Sequence, residues 1–283
     1  MHKFYPLLEK QIAEARAYPA KVLLIGEYAV LYGGTALGLP YNPFRACWAV
    51  GESENPQLNL FLEFLKGKSE LSQYLDLITF ESDLQQGLYL DSNIPLSSGL
   101  GSSGAVVAAV WDRYGKDKQN LQLREIFSQM EGFYHGNSSG LDPLIIYHQK
   151  PVQLSNEGVS LISSEIPFET NDYKISLVDS GQKRDTHIWV NKFKTKMENS
   201  DFKNAFHSDF LPSNEQIINA FLNGESDKIF SLWKSISAFQ LNHLPEFIPE
   251  HIKSKWLTEH SAFKLCGAGG GGYFLRMENG VNG

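Results

Sequence analysis

Residues 95–111 read PLSSGLGSSGAVVAAVW, and the reading of this stretch decides the fold. Gly99-Leu100-Gly101-Ser102-Ser103-Gly104 has the G-x-G-x-x-G spacing of a dinucleotide-binding loop. That motif needs a helix after the loop and then a second strand ending in Asp or Glu about 20 residues on. Here the Ala- and Val-rich run predicts a buried helix over Ser102–Tyr114, with a serine-rich start suited to capping. It is followed by Gly115-Lys-Asp-Lys-Gln-Asn120 and a second helical pattern, so Asp112 and Asp117 do not fall at a strand end. The dinucleotide context fails, and a Walker loop, GxxxxGK[ST], is absent. What remains is a glycine-serine loop at a helix mouth. The first-turn N–H groups and the helix dipole there favour an anion, and glycine lets backbone approach a phosphate closely. The alternative is a tight turn ahead of a helix packed through small residues.

Working outward, Lys21–Ile25 predicts a strand, followed by Gly26 and a Gly33-Gly34 turn. Arg45–Val50 and Gly87–Ile94 read as further strands. Leu58, Phe61, Leu62 and Leu65 stand at helical spacing. Asn120 is placed to cap a helix whose apolar stripe is Leu123, Ile126, Phe127, Met130 and Tyr134. Strand-like runs return near 144–154 and at Tyr173–Val178. Helical patterns then occupy about 185–200, 213–222 and 225–242. Ala262–Cys266, a six-residue glycine-rich turn and Tyr273–Arg276 read as a hairpin. Strands and helices mix without strict βαβ alternation, which predicts an α+β fold. The polar stretch EIPFETND near 165–172 is the expected boundary between domains 1–168 and 169–283.

Composition narrows the function. The 283 residues carry a formal net charge of -7, a poor balance for a nucleic-acid binder. Two cysteines, Cys47 and Cys266, argue against a disulfide framework and for a reducing, cytoplasmic setting. The eight histidines show no zinc-ligand spacing. Neither an apolar signal region nor a run long enough to span a membrane is read, so no membrane partner is expected.

Three further stretches accompany the loop in order: Pro19-Ala-Lys-Val-Leu-Leu-Ile-Gly-Glu-Tyr-Ala-Val-Leu-Tyr-Gly33, Glu131-Gly-Phe-Tyr-His-Gly-Asn-Ser-Ser-Gly-Leu-Asp142 and Lys264-Leu-Cys-Gly-Ala-Gly-Gly-Gly-Gly272. Together the four resemble the ordered motif set of the GHMP small-molecule kinases, in the form closest to the mevalonate kinase branch. Some features resemble phosphomevalonate kinase. Tyr28 stands where mevalonate kinases commonly carry His, and Cys266 where Thr or Ser is usual. The resemblance implies two α+β domains, the N-terminal one ribosomal-protein-like and the C-terminal one ferredoxin-like. It implies ATP-dependent phosphorylation of a small-molecule alcohol, mevalonate first, by a monomer or homodimer.

The resemblance also implies roles. ATP phosphates would lie on Pro95, Ser97, Ser98, Gly99, Leu100, Gly101, Ser102, Ser103 and Gly104. Mg²⁺ would take Glu131 and a hydroxyl from Ser103, with Ser102 competing for that place. Asp142 would accept or orient the proton of the attacking hydroxyl, with Lys21 beside it. Taken alone, Asp142 before Pro143 is a plausible helix cap, Lys21 a strand-edge lysine and Glu131 half of a salt bridge. Acceptor contacts are expected from Glu27, Tyr28, Lys183, Arg184, Thr186, Gly267 and Ala268; surface charge is the alternative for Lys183 and Arg184. A non-catalytic sensor on the same scaffold would be expected to have lost one of Lys21, Glu131 or Asp142, and all three are present.

Overall fold

The computed structural model describes residues 16–51, 55–118, 122–136, 138–183 and 185–280. The chain forms two compact units that interleave in sequence. The first takes the chain up to Lys21, Pro40–Pro95 and Leu100–Gln149. The second takes Val22–Leu39, Leu96–Gly99 and the chain from Lys150. Strands β1 (Tyr18–Ile25) and β2 (Ala36–Val50) each run through both. Mixed helices and strands give the expected α+β class.

In the first unit, Ala46–Val50 of β2 pair antiparallel with β3 (Leu88–Ser92). Helices α1 (Pro56–Lys66) and α2 (Leu77–Gln85) precede β3. Leu58, Phe61, Leu62 and Leu65 are all buried, as their spacing requires. The predicted buried helix is α3 (Ser102–Tyr114). Its small side chains let it lie close against α5 (Leu141–His148) and α4 (Leu123–His135). Trp111 of α3 meets Phe127 of α4 edge-on, centroids 6.0 Å apart, and Phe127 meets Tyr147 of α5 at 5.7 Å. Phe127 is fully buried, worth about 2–3 kcal/mol of apolar burial.

Three local expectations are corrected. The run from residue 144 is helix, not strand, until β4 (Val152–Ser155) begins. Leu144, Ile145 and Ile146 are buried, and a short apolar run does not by its period separate a buried helix from a strand. Asp142 lies in the first turn of α5; the cap itself is Gly140, left-handed at φ 70°. The cap of α3 is likewise a left-handed glycine, Gly101 at φ 81°, and no serine side chain caps it. Asn120 and Asn137 lie outside the described residues, as does the opening stretch 1–15.

In the second unit, Ala36–Gly38 of β2 pair with β4, and β4 pairs with β5 (Gly158–Leu161). Strands β6 (Tyr173–Asp179), β7 (Ser261–Leu265) and β8 (Tyr273–Asn279) form an antiparallel sheet in the order β6-β8-β7. The closing hairpin is therefore real, and the glycine turn joins β7 to β8. Helix α6 (Thr186–Lys196) is followed by α7 (Ser200–Ala205), a π-helical turn at Phe206–Phe210 and α8 (Leu211–Asn223). The helical pattern had stopped at about residue 200, so α7 and the π turn were not expected. Helix α9 (Ser226–His243) packs on β7, with the Trp233 indole N–H donating to the Ala262 carbonyl at 3.0 Å. No helix among the described residues is long and apolar enough to cross a membrane.

Candidate active site

The site in the first unit is built from the middle of β1, the mouths of α3 and α5, and one side chain from α4. Lys21 is held at its backbone by an N–H bond to the Leu100 carbonyl, 2.9 Å. The left-handed turn at Gly101 that starts α3 passes under its side chain; a Cβ there would lie 2.8 Å from Lys21 Cγ. The Lys21 ammonium reaches the Asp142 carboxylate, Nζ to Oδ2 2.9 Å, with 13% and 32% of the two side chains exposed. Asp142 sits in the first turn of α5, where a helix N-terminus favours negative charge. Gly104 brings α3 close to it: a Cβ on Gly104 would lie 3.0 Å from the Asp142 Cβ.

Glu131 comes from α4 and is 3% exposed. The Ser103 hydroxyl donates to its Oε1 at 2.9 Å, and the Ser138 hydroxyl donates to its Oε2. Burial and the negative charge of Asp142 push the Glu131 carboxyl up to about 7, against the two hydroxyl bonds and the Lys21 ammonium. The first intrahelical bond of α3 runs from Ala105 N–H to the Gly101 carbonyl, 2.9 Å. The amides of Ser102, Ser103 and Gly104 precede it, at the end of the helix where amides lack an intrahelical acceptor. The structure thus brings Lys21, Asp142, Glu131 and Ser103 together at one helix mouth.

Ser138 was not singled out from the sequence. Its hydroxyl also accepts the Gly140 N–H at 3.0 Å, and its carbonyl accepts from the Ser128 hydroxyl at 2.6 Å. It joins the Glu131 carboxylate to the turn that leads into Asp142. Gly140 makes that turn possible. It is left-handed, and a Cβ would lie 2.2 Å from the Arg124 carbonyl oxygen. Gly140→Ala is expected to lose at least about 2 kcal/mol of stability, read as a lowered urea midpoint at unchanged m.

The remaining expected residues lie mainly in the loop and the second unit. Ser97 is left-handed at φ 55°, Gly99 at φ 82°, and Ser98 is buried. Glu27 is buried, its Oε1 2.5 Å from Lys264 Nζ. Burial raises the Glu27 carboxyl above the usual carboxylate range, opposed chiefly by the Lys264 charge. Tyr28 is also buried; its hydroxyl donates to the Ala268 carbonyl at 2.6 Å. Lys183 and Thr186 are exposed, and Asp185 caps α6 beside Thr186. Arg184 lies outside the described residues. Lys264 was read only as the start of a motif. A lone lysine inside the apolar run Ala262–Cys266 was the available signal that it is buried.

Residues 63–150 match the model of the GHMP kinases N terminal domain, a span that holds the loop, Glu131 and Asp142. The chain is similar to the mevalonate kinase of Thermococcus gammatolerans, 29% identical over 160 residues, covering 45% of this chain and 47% of that protein. The matched region thus spans about half the length of such curated relatives. The fold is similar to that of the L. major mevalonate kinase crystallised with R-mevalonate, at TM-score 0.63 and 20% identity over 95% of this chain and 87% of that one. It also matches the Streptococcus pneumoniae phosphomevalonate kinase in complex with phosphomevalonate and AMPPNP, at TM-score 0.62 and 18% identity over 93% and 92%.

Proposed function

We propose that this GHMP-fold chain transfers the terminal phosphoryl group of ATP to the hydroxyl of a small-molecule alcohol, with mevalonate as the first acceptor. One observation carries the reading: the Lys21–Asp142 pair lies at the mouth of α3, beside a carboxylate held by a first-turn serine. In this reading the α3 amides at Ser102–Gly104 and the preceding loop hold the polyphosphate. Asp142 takes the proton of the attacking hydroxyl, and Lys21 stabilises the oxygen that becomes negative. The hydroxyl oxygen bonds to phosphorus as the bond to the departing ADP breaks.

The donor set fits magnesium. Glu131 and Ser103 offer only oxygen, and no cluster of three His, Cys, Asp or Glu residues forms a closed cage among the described residues. Glu131 and Asp142 also place two carboxylates against one nearby ammonium, a surplus of negative charge. Glu131 and the Ser103 hydroxyl would hold the ion, which when bound neutralises phosphate oxygens. The names of the relatives support mevalonate as acceptor, whereas the fold alone serves several acceptors. The test is ADP release measured with mevalonate, phosphomevalonate, homoserine and galactose. Turnover greatest with mevalonate is expected; turnover with none of the four overturns the kinase reading.

A further inference from the structure

Glu131 has two hydroxyl partners, and they are not equivalent. Ser103 donates to Oε1 at 2.9 Å and Ser138 donates to Oε2. Ser103 is already assigned, with Glu131, to the cation. Ser138 is the hydroxyl whose one hydrogen is given wholly to the carboxylate, while its oxygen accepts the Gly140 N–H at 3.0 Å.

The backbone that carries this hydroxyl is fixed by other bonds. Arg124, Ser128 and Glu131 stand at i, i+4 and i+7 on α4, so they share one face of that helix. All three meet the segment 138–140. Arg124 Nε donates to the Ser139 carbonyl at 3.0 Å, and the Ser128 hydroxyl donates to the Ser138 carbonyl at 2.6 Å. Gly140 packs so closely on this face that a Cβ would lie 2.9 Å from the Ser128 nitrogen. Ser138 is therefore a donor held in place from behind and aimed back at α4.

We propose that Ser138 is a positioning residue for Glu131: its hydroxyl fixes Oε2, so that Oε1 and the Ser103 oxygen are the pair presented to the cation. The cation part rests on the kinase reading above. The joining of Glu131 to the Gly140 amide through one hydroxyl stands on the geometry alone. Hydrogen-bond partners behind a metal-binding group typically set about 10–100-fold of metal affinity. The physical reason is that a carboxylate left unheld must be ordered when the ion arrives.

The test uses the full chain and three variants. Ser138→Ala removes the hydroxyl, and Ser138→Thr keeps it. Ser128→Ala removes a bond to the same segment without touching Glu131. The probe is Mn²⁺, which suits the same oxygen donors as Mg²⁺. It is titrated in the presence of AMPPNP, with the paramagnetic resonance signal of the free ion reporting binding. Ser138→Ala is expected to weaken Mn²⁺ binding about tenfold or more, with Ser138→Thr and Ser128→Ala staying within about threefold of the native chain. Unchanged affinity in Ser138→Ala overturns the positioning role. A loss as large in Ser138→Thr or Ser128→Ala overturns it too, since the segment and not the hydroxyl would then hold the carboxylate.

A native chain that binds no Mn²⁺ with AMPPNP removes the cation reading and this part of the inference with it. Amide hydrogen exchange without ligand still decides the rest. In Ser138→Ala the Gly140 amide is expected to exchange about tenfold faster, with the fully buried Val107 of α3 unchanged. Unchanged exchange at Gly140 overturns the bridge through the hydroxyl. An equal rise at both amides overturns it as well, because that reports global destabilisation.

Discussion

Asp142→Asn is expected to lower turnover by about 10²- to 10⁴-fold while leaving nucleotide affinity nearly unchanged. Asparagine keeps the shape of the aspartate and its place in the first turn of α5, so packing against Gly104 survives. It cannot take a proton from an attacking hydroxyl. The ammonium of Lys21, now 2.9 Å from a carboxylate, would face a neutral amide and lose its partner. Lys21→Met attacks the same pair from the other side and is expected to lose about 10²- to 10³-fold. If the two act as one unit, Lys21→Met/Asp142→Asn is hardly worse than Asp142→Asn alone. Steady-state kinetics with saturating mevalonate, beside equilibrium binding of a non-hydrolysable nucleotide, measures both quantities. A loss below tenfold for Asp142→Asn, or fully additive losses in the double variant, would remove the pair from the chemistry.

The pair illustrates what a sequence can carry. Lys21 and Asp142 lie far apart in the chain, and nothing in their local spacing says that they meet. Their meeting was an implication of family resemblance, and the structure brings them within ion-pair distance. The helix between them was legible from the residues themselves: an Ala- and Val-rich run of 13 residues has few other ways to bury itself. The start of α5 was legible only in part: Asp142 before Pro143 suggested a helix cap, which the structure moves to Gly140, whereas Leu144–Ile146 suits a strand as well as a buried helix. Caps misled for a related reason. Serines beside a predicted helix start invite capping, but the left-handed turn at Gly101 moves them inside the helix, where Ser103 turns to Glu131. Ser138 and Lys264 escaped because each acts through a partner distant in sequence or packing: Ser138 through the burial of Glu131, and Lys264 through a loop more than two hundred residues away.

Glu131→Gln is expected to separate function from stability by moving them in opposite directions. The carboxyl of Glu131 is raised from its ordinary 4.5 to about 7 by burial and by Asp142. Below pH 4.5 the group is protonated whether the chain is folded or not, so it contributes no pH dependence. Between 4.5 and 7 the folded chain keeps a proton that the unfolded chain has lost, and stability falls as pH rises. Above 7 both states are ionised and the folded state bears the whole cost, about 3 kcal/mol at most. Glutamine mimics the protonated form: its carbonyl oxygen can accept from one of the two serine hydroxyls and its NH2 can donate to the other, so it escapes this cost. Without divalent cation, the variant is therefore expected to be more stable than the native chain at pH 8, with the difference shrinking towards pH 5. In denaturant melts, an equal difference at both pH values would show that Glu131 is not held against its charge. Activity should move the other way, falling by about 10²- to 10³-fold, because removing the charge weakens the hold on a cation that balances phosphate charge. The stability cost would then have a functional reason: a buried carboxylate is left short of positive charge so that a cation can supply it. Raising Mg²⁺ at pH 8 should accordingly stabilise the native chain more than Glu131→Gln.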